Sequence, residues 1–165
     1  MGKVNFQTAS TTTPAGYVAD YGQAFDAARG YGWISQVDST PLSLVGNGRE
    51  RNLNSDKRLD TFVNMQYEGT NGVAVPGRWE YALANGTYNV TVSVGEANAA
   101  FCGSTHRLTV EGVLAIDNFT PDCTAGKFAS ATVTAAVSDG RLTVDAAGRT
   151  HTKNNHTHTP DPADA

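Results

Sequence analysis

Three kinds of side chain in this sequence are spaced so that they could do chemistry. The first is aromatic. The stretch PAGYVADYGQAF (14–25) sets Tyr17, Tyr21 and Phe25 among glycine and aspartate, and ARGYGWIS (28–35) adds Tyr31 and Trp33. An exposed ring beside Asp, Asn, Arg or Gln complements a pyranose, which offers an apolar C–H face and a rim of hydroxyls. The second kind is cationic. The run GNGRERNLNSDKR (46–58) carries Arg49, Arg51 and Arg58, which would grip an acidic sugar through paired hydrogen bonds. The plainer reading folds the run back onto Asp56 and Asp60 as a structural ion network. The third kind is imidazole. His156 and His158 share one face of an extended segment, with His151 nearby. Three imidazoles could hold zinc, but a Thr-flanked polar strand with solvated histidines is the simpler reading.

Hydrolytic chemistry finds less support. The carboxylates Asp20, Asp26, Asp56, Asp60, Glu68, Glu96, Asp117 and Asp122 are scattered, and a glycosidase needs two that face each other. There is no Gly-x-Ser-x-Gly elbow, no phosphate-binding loop and no His-Glu-x-x-His. The expectation is a non-enzyme without a cofactor. A structural calcium is another ion to consider, with oxygens from Asp20, Asp26, Asp117 and Asp122, although no sequential Asp-x-Asp-x-Asp-Gly loop is present.

These groups need a scaffold, and the rest of the chain reads as strands. At 165 residues there is enough chain for one domain with a core. We expect that domain over 1–159 and a fraying tail at 160–165, PDPADA. Charged residues are 17% and the formal net charge is -4, so a nucleic-acid partner is not expected. No apolar run is long enough for membrane insertion. The opening MGKVNFQ has no apolar signal region.

Alternation of period two marks GTYNVTVSVG (86–95), STHRLTVEG (104–112), FASATVTAAV (128–137) and RLTVDA (141–146) as strands. Asn85-Gly86, Glu111-Gly112 and Asp139-Gly140 read as tight hairpin turns. The full set is 3–7, 31–35, 58–66, 79–83, 87–95, 105–111, 113–119, 127–137, 141–146 and a polar strand at 154–159. About ten strands at this spacing predict an all-β, antiparallel β-sandwich or jelly roll. Segment 20–30 reads as loop with one turn. The Asn-x-Thr triplets at Asn85, Asn89, Asn118 and Asn155 read as chance in a Thr-rich chain.

The tight turns serve as a ruler. If they lie at one end of the sandwich, the loops 67–78, 96–104, 120–126 and 147–153 lie at the other, together with the long segment 8–30. Cys102 and Cys123 both fall in that second set. They are two separate thiols or one disulfide, and the shared end favours the disulfide, which implies an oxidising compartment. The same count leaves the arginine run at the short-turn end.

In order along the chain, VNFQTAS...PAGYVADYGQAF (4–25), YGW (31–33), RERN...DKRLDTFVNMQ (49–66), WEYALANGTYNVTVSVGE (79–96), HRLTVEGV (106–113) and VSDGRLTV (137–144) resemble the malectin-like carbohydrate-binding domains. These are galactose-binding-domain-like jelly rolls of bacterial extracellular polysaccharide-active proteins. The last piece departs from the pattern, because THTKNNHTHTP (150–160) lacks the apolar alternation such domains end on. The resemblance implies sugar binding by loop aromatics and a carboxylate at the long-loop end. By position the first-loop tyrosines Tyr17 and Tyr21 match best; Phe25, Tyr31, Glu96, Asn98, Phe101, Arg149 and Lys153 join them as candidates, with Trp33 mainly core. The expected partner is a poly- or oligosaccharide, bound by a secreted or cell-surface module next to a catalytic one. The alternative is a structural or adhesive module that pairs with protein through its sandwich edges, or that self-assembles.

Overall fold

The computed structural model describes residues 2–124 and 126–146. The chain forms a β-sandwich, antiparallel in all its strand pairs but the first, whose two layers are built differently. One layer is a five-stranded sheet. It is made from β3 (Tyr31–Ser35), β6 (Gly77–Ala82), β8 (His106–Val110), β9 (Val113–Phe119) and β11 (Arg141–Ala146), in the order β3-β6-β11-β8-β9. Opposite it lie three strand pairs. These are β1 (Val4–Phe6) with β2 (Val18–Asp20), β4 (Gly48–Glu50) with β5 (Thr61–Val63), and β7 (Gly86–Gly95) with β10 (Phe128–Val137). A single helical turn, α1 (Lys57–Asp60), precedes β5.

Alternation explains the longest pair. Tyr88, Val90, Val92 and Val94 of β7 face Ala135, Val133, Ala131 and Ala129 of β10 in register. Their outward neighbours are polar and bond across the strands, Thr91 with Thr132 at 2.7 Å and Thr134 with Asn89 at 2.8 Å. In the five-stranded sheet the inward residues include Trp33, Trp79, Leu108, Val110, Leu142 and Val144, all buried. Phe6 meets Trp33 and Trp79 edge-on, at 5.6 and 5.4 Å between ring centres. This aromatic contact joins the two layers.

The predicted turns behave in two ways. Glu111 and Gly112 have φ of 50° and 74°, as a two-residue hairpin needs, and β8 pairs with β9 across them. The other two do not close hairpins. β6 and β7 belong to different layers, and so do β10 and β11. An Asn-Gly or Asp-Gly signal marks a reversal and says nothing about which sheet takes the next strand. Asn85 ties the two crossings together. Its side chain donates to the Ser138 carbonyl at 2.9 Å and accepts from the Gly140 amide at 2.8 Å.

Cys102 and Cys123 form a disulfide at the opposite end, with 5.4 Å between Cα atoms. One predicted boundary shifts, and two short strands were not expected. The strand expected over 58–66 is shortened to Thr61–Val63, because Asp56 caps a helical turn before it. β2 and β4, three residues each, are too short for alternation to register. The expected strand 154–159 and the tail 160–165 lie outside the described residues. Among the described residues no helix is long and apolar enough to cross a membrane.

Candidate functional site

The expected first-loop site is dispersed. β3 pairs antiparallel with β6, setting Tyr31 opposite Tyr81 and Ser35 opposite Gly77. Tyr31 therefore sits at the short-turn end, not at the long-loop end. Its hydroxyl donates to the Ala19 carbonyl at 3.1 Å, and its ring stacks on Tyr81. Phe25 goes the same way. Arg141, the first residue of β11, lies over its ring at 4.3 Å and bonds Glu80 at 2.6 Å. Tyr21 is half-buried, and its amide donates to Gln23 at 2.9 Å. Tyr17 lines the large cavity between the layers, under the Lys3 ammonium. Arg149 and Lys153 lie outside the described residues, as do His151, His156 and His158.

Asp20 is fully buried among these aromatics. It accepts from the Trp33 indole at 2.8 Å, the Trp79 indole at 2.9 Å and the Gly22 amide at 2.8 Å. Burial pushes its carboxyl above the usual range, against the pull of those three donors and Arg29. Gly22 is held at φ 92°, and a Cβ there would strike the Leu44 carbonyl. Asp20 is thus a buried structural acceptor. Asp26 caps the Arg29 amide, and Asp117 pairs with Arg107. Among the described residues no group of three His, Cys, Asp or Glu could hold a metal ion.

At the long-loop end the structure assembles a different set. The arginine run, expected at the short-turn end, reaches the end of β7. The reason is the β4–β5 pair. Met65, two residues after β5, accepts from Gly77 at the start of β6 at 2.8 Å, while Arg51, just after β4, meets Glu96. The pair therefore spans this end of the molecule. Arg51 Nε donates to Glu96 Oε1 at 2.7 Å, and its Nη2 meets Oε2 of the same carboxylate. Glu96 Oε1 also accepts the Asn98 amide at 2.8 Å, and the Asn98 side chain caps the turn Ala99–Phe101.

Around that ion pair, rings and guanidinium groups interleave. Arg49 and Phe62 are cross-strand partners. Arg49 lies over Tyr67 at 5.2 Å, and Arg51 lies between Phe62 at 5.1 Å and Phe101 at 4.6 Å. Tyr67 itself is buried, while Arg49, Phe62, Arg51 and Phe101 are half-buried. All five border a cavity of about 1150 Å³ between the layers, above the ~300–1,000 Å³ usual for small-molecule pockets.

Local devices hold this strip in place. Asp60, fully buried, accepts the amides of Asn52, Leu53 and Asn54 at 2.8–2.9 Å and the Lys57 ammonium at 2.8 Å. Burial raises its carboxyl, but those four donors more than offset that and hold it below the usual range. Asn47 bonds Asn64 and both polar backbone groups of Val73, which shapes the turn carrying Tyr67. Arg58 pairs with Asp56, so the structural ion network forms alongside the strip. His106 stacks on Phe119, and burial pushes its imidazole down against the nearby Glu96 charge. The sequence offered no signal for Tyr67 and Phe62. Arg51 and Glu96 are 45 residues apart, and no spacing rule links them.

The class the fold defines is an all-β sandwich. A search of solved structures matches protein YxiM from Bacillus subtilis, with 22% identity and a TM-score of 0.53. The match covers 94% of this chain and 36% of that one, so the chain spans about a third of that protein's length. The likeness is one of fold. No protein-family model and no curated protein matches the chain.

Proposed function

We propose that the chain binds carbohydrate without catalysis, through the strip of Arg49, Phe62, Arg51 and Phe101, as an extracellular module of a larger polysaccharide-active protein. The observation that carries this reading is the alternation of rings and guanidinium groups along one border of an open groove. Ring faces suit the C–H face of a pyranose, and guanidinium groups donate to its hydroxyls. Glu96 and the disulfide Cys102–Cys123 fix the strip rather than touch the sugar. Extracellular placement rests on that disulfide. The malectin-like resemblance supports the same ligand class, though it pointed to first-loop tyrosines. A shallow strip binds weakly alone, and linkage to a catalytic module raises its effective concentration.

Affinity electrophoresis in gels cast with plant and algal polysaccharides tests the reading. At least one polysaccharide should retard the protein. Phe101→Ala and Arg49→Ala should each abolish retardation and leave the melting transition within a few degrees. Tyr21→Ala should leave retardation intact. Loss of retardation in Tyr21→Ala alone would return the site to the first loop. No retardation on any polysaccharide would sink the proposal.

A further inference from the structure

The sequence contains three Asn-Gly pairs, Asn47-Gly48, Asn71-Gly72 and Asn85-Gly86. As dipeptides they are alike, and the fold treats them differently. An asparagine side chain that precedes glycine is open to attack by the glycine nitrogen. Glycine has no Cβ to block the approach, and its backbone reaches the angles a closing ring requires. That nitrogen and the side-chain carbonyl carbon must first come within about 3–3.5 Å in an aligned geometry. A side chain held by hydrogen bonds, or a glycine held in a strand ladder, does not make that approach.

Two of the pairs are locked in both ways. Asn47 is fully buried. Its side-chain amide donates to the carbonyls of Asn64 at 3.1 Å and Val73 at 3.0 Å, and accepts the Val73 amide at 2.7 Å. Gly48 opens β4, opposite Val63. Asn85 is exposed, but Ser138 and Gly140 hold both polar atoms of its amide. Gly86 opens β7, opposite Val137.

Asn71-Gly72 has neither lock. The pair lies in irregular backbone between β5 and β6, and both residues are exposed. Among the described residues neither the Asn71 side chain nor the Gly72 amide has a hydrogen-bond partner. Packing nonetheless keeps position 72 a glycine. A Cβ there would come within 2.5 Å of Asn47 Oδ1 and 2.7 Å of the Tyr67 ring. The fold thus retains glycine after the one asparagine of the three that it leaves free.

We propose that Asn71 is a site of spontaneous deamidation in the folded protein. The Gly72 nitrogen attacks Asn71 Cγ and forms a new C–N bond. The side-chain amide leaves as ammonia, carrying the proton that the Gly72 nitrogen gives up, and a succinimide remains. Water then adds to one of the two ring carbonyls. Breaking the Cγ–N bond gives aspartate, and breaking the bond from the main-chain carbonyl carbon to that nitrogen gives isoaspartate. The sum exchanges ammonia for water, with no oxidant and no cofactor. Either product adds one negative charge, and isoaspartate also lengthens the main chain by one methylene.

The change falls on the loop that covers Tyr67. Gly69 and Gly72 both pack against that ring, and the Arg49 guanidinium lies over it at 5.2 Å. Arg49 donates to the carbonyls of Gly46 and Gly48 and has no carboxylate partner among the described residues. A carboxylate at 71 therefore lowers the positive field around Arg49 as the protein ages. The reaction stands apart from the sugar reading, although the loop it alters rests on the ring that carries Arg49.

The test incubates the folded protein and its guanidinium-unfolded chain side by side at neutral pH. Peptide mapping by mass spectrometry then reads aspartate and isoaspartate at the three asparagines over time. In the folded protein Asn71 should convert at least tenfold faster than Asn47 and Asn85. In the unfolded chain the three rates should agree within about threefold. Asn71→Gln, an exposed change, should remove the principal acidic species that isoelectric focusing shows in aged protein. Conversion of Asn71 no faster than that of Asn47 or Asn85 in the folded protein overturns the proposal. So does the same rate order, at the same ratios, in the unfolded chain, because the flanking residues and not the fold would then set it.

Discussion

The two layers of this sandwich solve the same problem by different means. In the closed layer, strand ladders satisfy most of the backbone, and each interior strand has a neighbour on both edges. In the broken layer the strands come only in pairs, and side chains take over. Asp60 satisfies three amides, Asn47 bridges two loops, and a disulfide clamps the loops after β7 and β9. Buried polar staples give a loop-rich surface a fixed shape without covering it with more strands. The proposed ring-and-guanidinium strip lies on this broken layer and its border. The closed layer supplies the floor of the cavity beside it.

If that division of labour is right, truncating one ring in each layer should separate them most clearly. Trp33 is 2% exposed and packs against Phe6 while donating to Asp20. Trp33→Ala should cost about 3–5 kcal/mol of stability, the range for large-to-small changes in a core. Phe62 is half-buried on the strip, and Phe62→Ala should cost about 1 kcal/mol. Urea unfolding of both variants measures the pair. Equal losses would mean the broken layer is as much core as the closed one.

The disulfide gives the next contrast. It closes a sequence separation of 21 residues, for which chain entropy predicts about 3 kcal/mol. Replacing both cysteines with serine should lower stability by that amount. Before global unfolding, amide exchange should rise in 96–105 and 120–127 and stay unchanged in β3, β6 and β11. Exchange that rises equally in β6 would show that the clamp supports the whole sandwich.

How much of this was legible from the sequence follows the same line. The long strands were, because Val90, Val92 and Val94 against Asn89, Thr91 and Ser93 can be satisfied only by a half-buried strand. The disulfide was, because both cysteines sit in loops at one end whichever sheets the strands join. Tyr31 and Phe25 were misplaced because β4, too short to show a period, went uncounted, and one missing strand reverses the end assigned to everything before it. The pairing of β3 with β6 fixes Tyr31 opposite Tyr81, and that is tertiary information. The strip was invisible for a related reason. It is assembled by the short strands β4 and β5, whose three residues each carry no period, and by Asp60 gathering amides six to eight positions upstream.

Two buried carboxylates sharpen the comparison through pH, with opposite signs. Asp20 and Asp60 are both fully buried. Asp20, set against the closed layer, has its folded-state value raised above 3.8 by burial. The folded state then holds that proton more tightly than the unfolded chain, so Asp20's contribution to stability falls as pH rises from 3.8 through the raised value. Asp60, in the broken layer, is lowered below 3.8 despite its burial, by Lys57 and the amides of Leu53, Asn54 and Asn52. Its contribution is complete above 3.8 and is lost as pH falls through the lowered value. Asp60→Asn should therefore cost about 2 kcal/mol at pH 7, on the scale of hydrogen bonds to a charged group. That cost should shrink on acidification below pH 3.8. Asp20→Asn should show the reverse slope, with the variant gaining on the native protein as pH rises above 3.8. Urea unfolding of the three proteins from pH 3 to pH 7 reads both slopes, and slopes of the same sign would break the distinction. The contrast follows from the donors each carboxylate meets. Two indoles and one amide are weaker compensation for a buried charge than three amides and an ammonium.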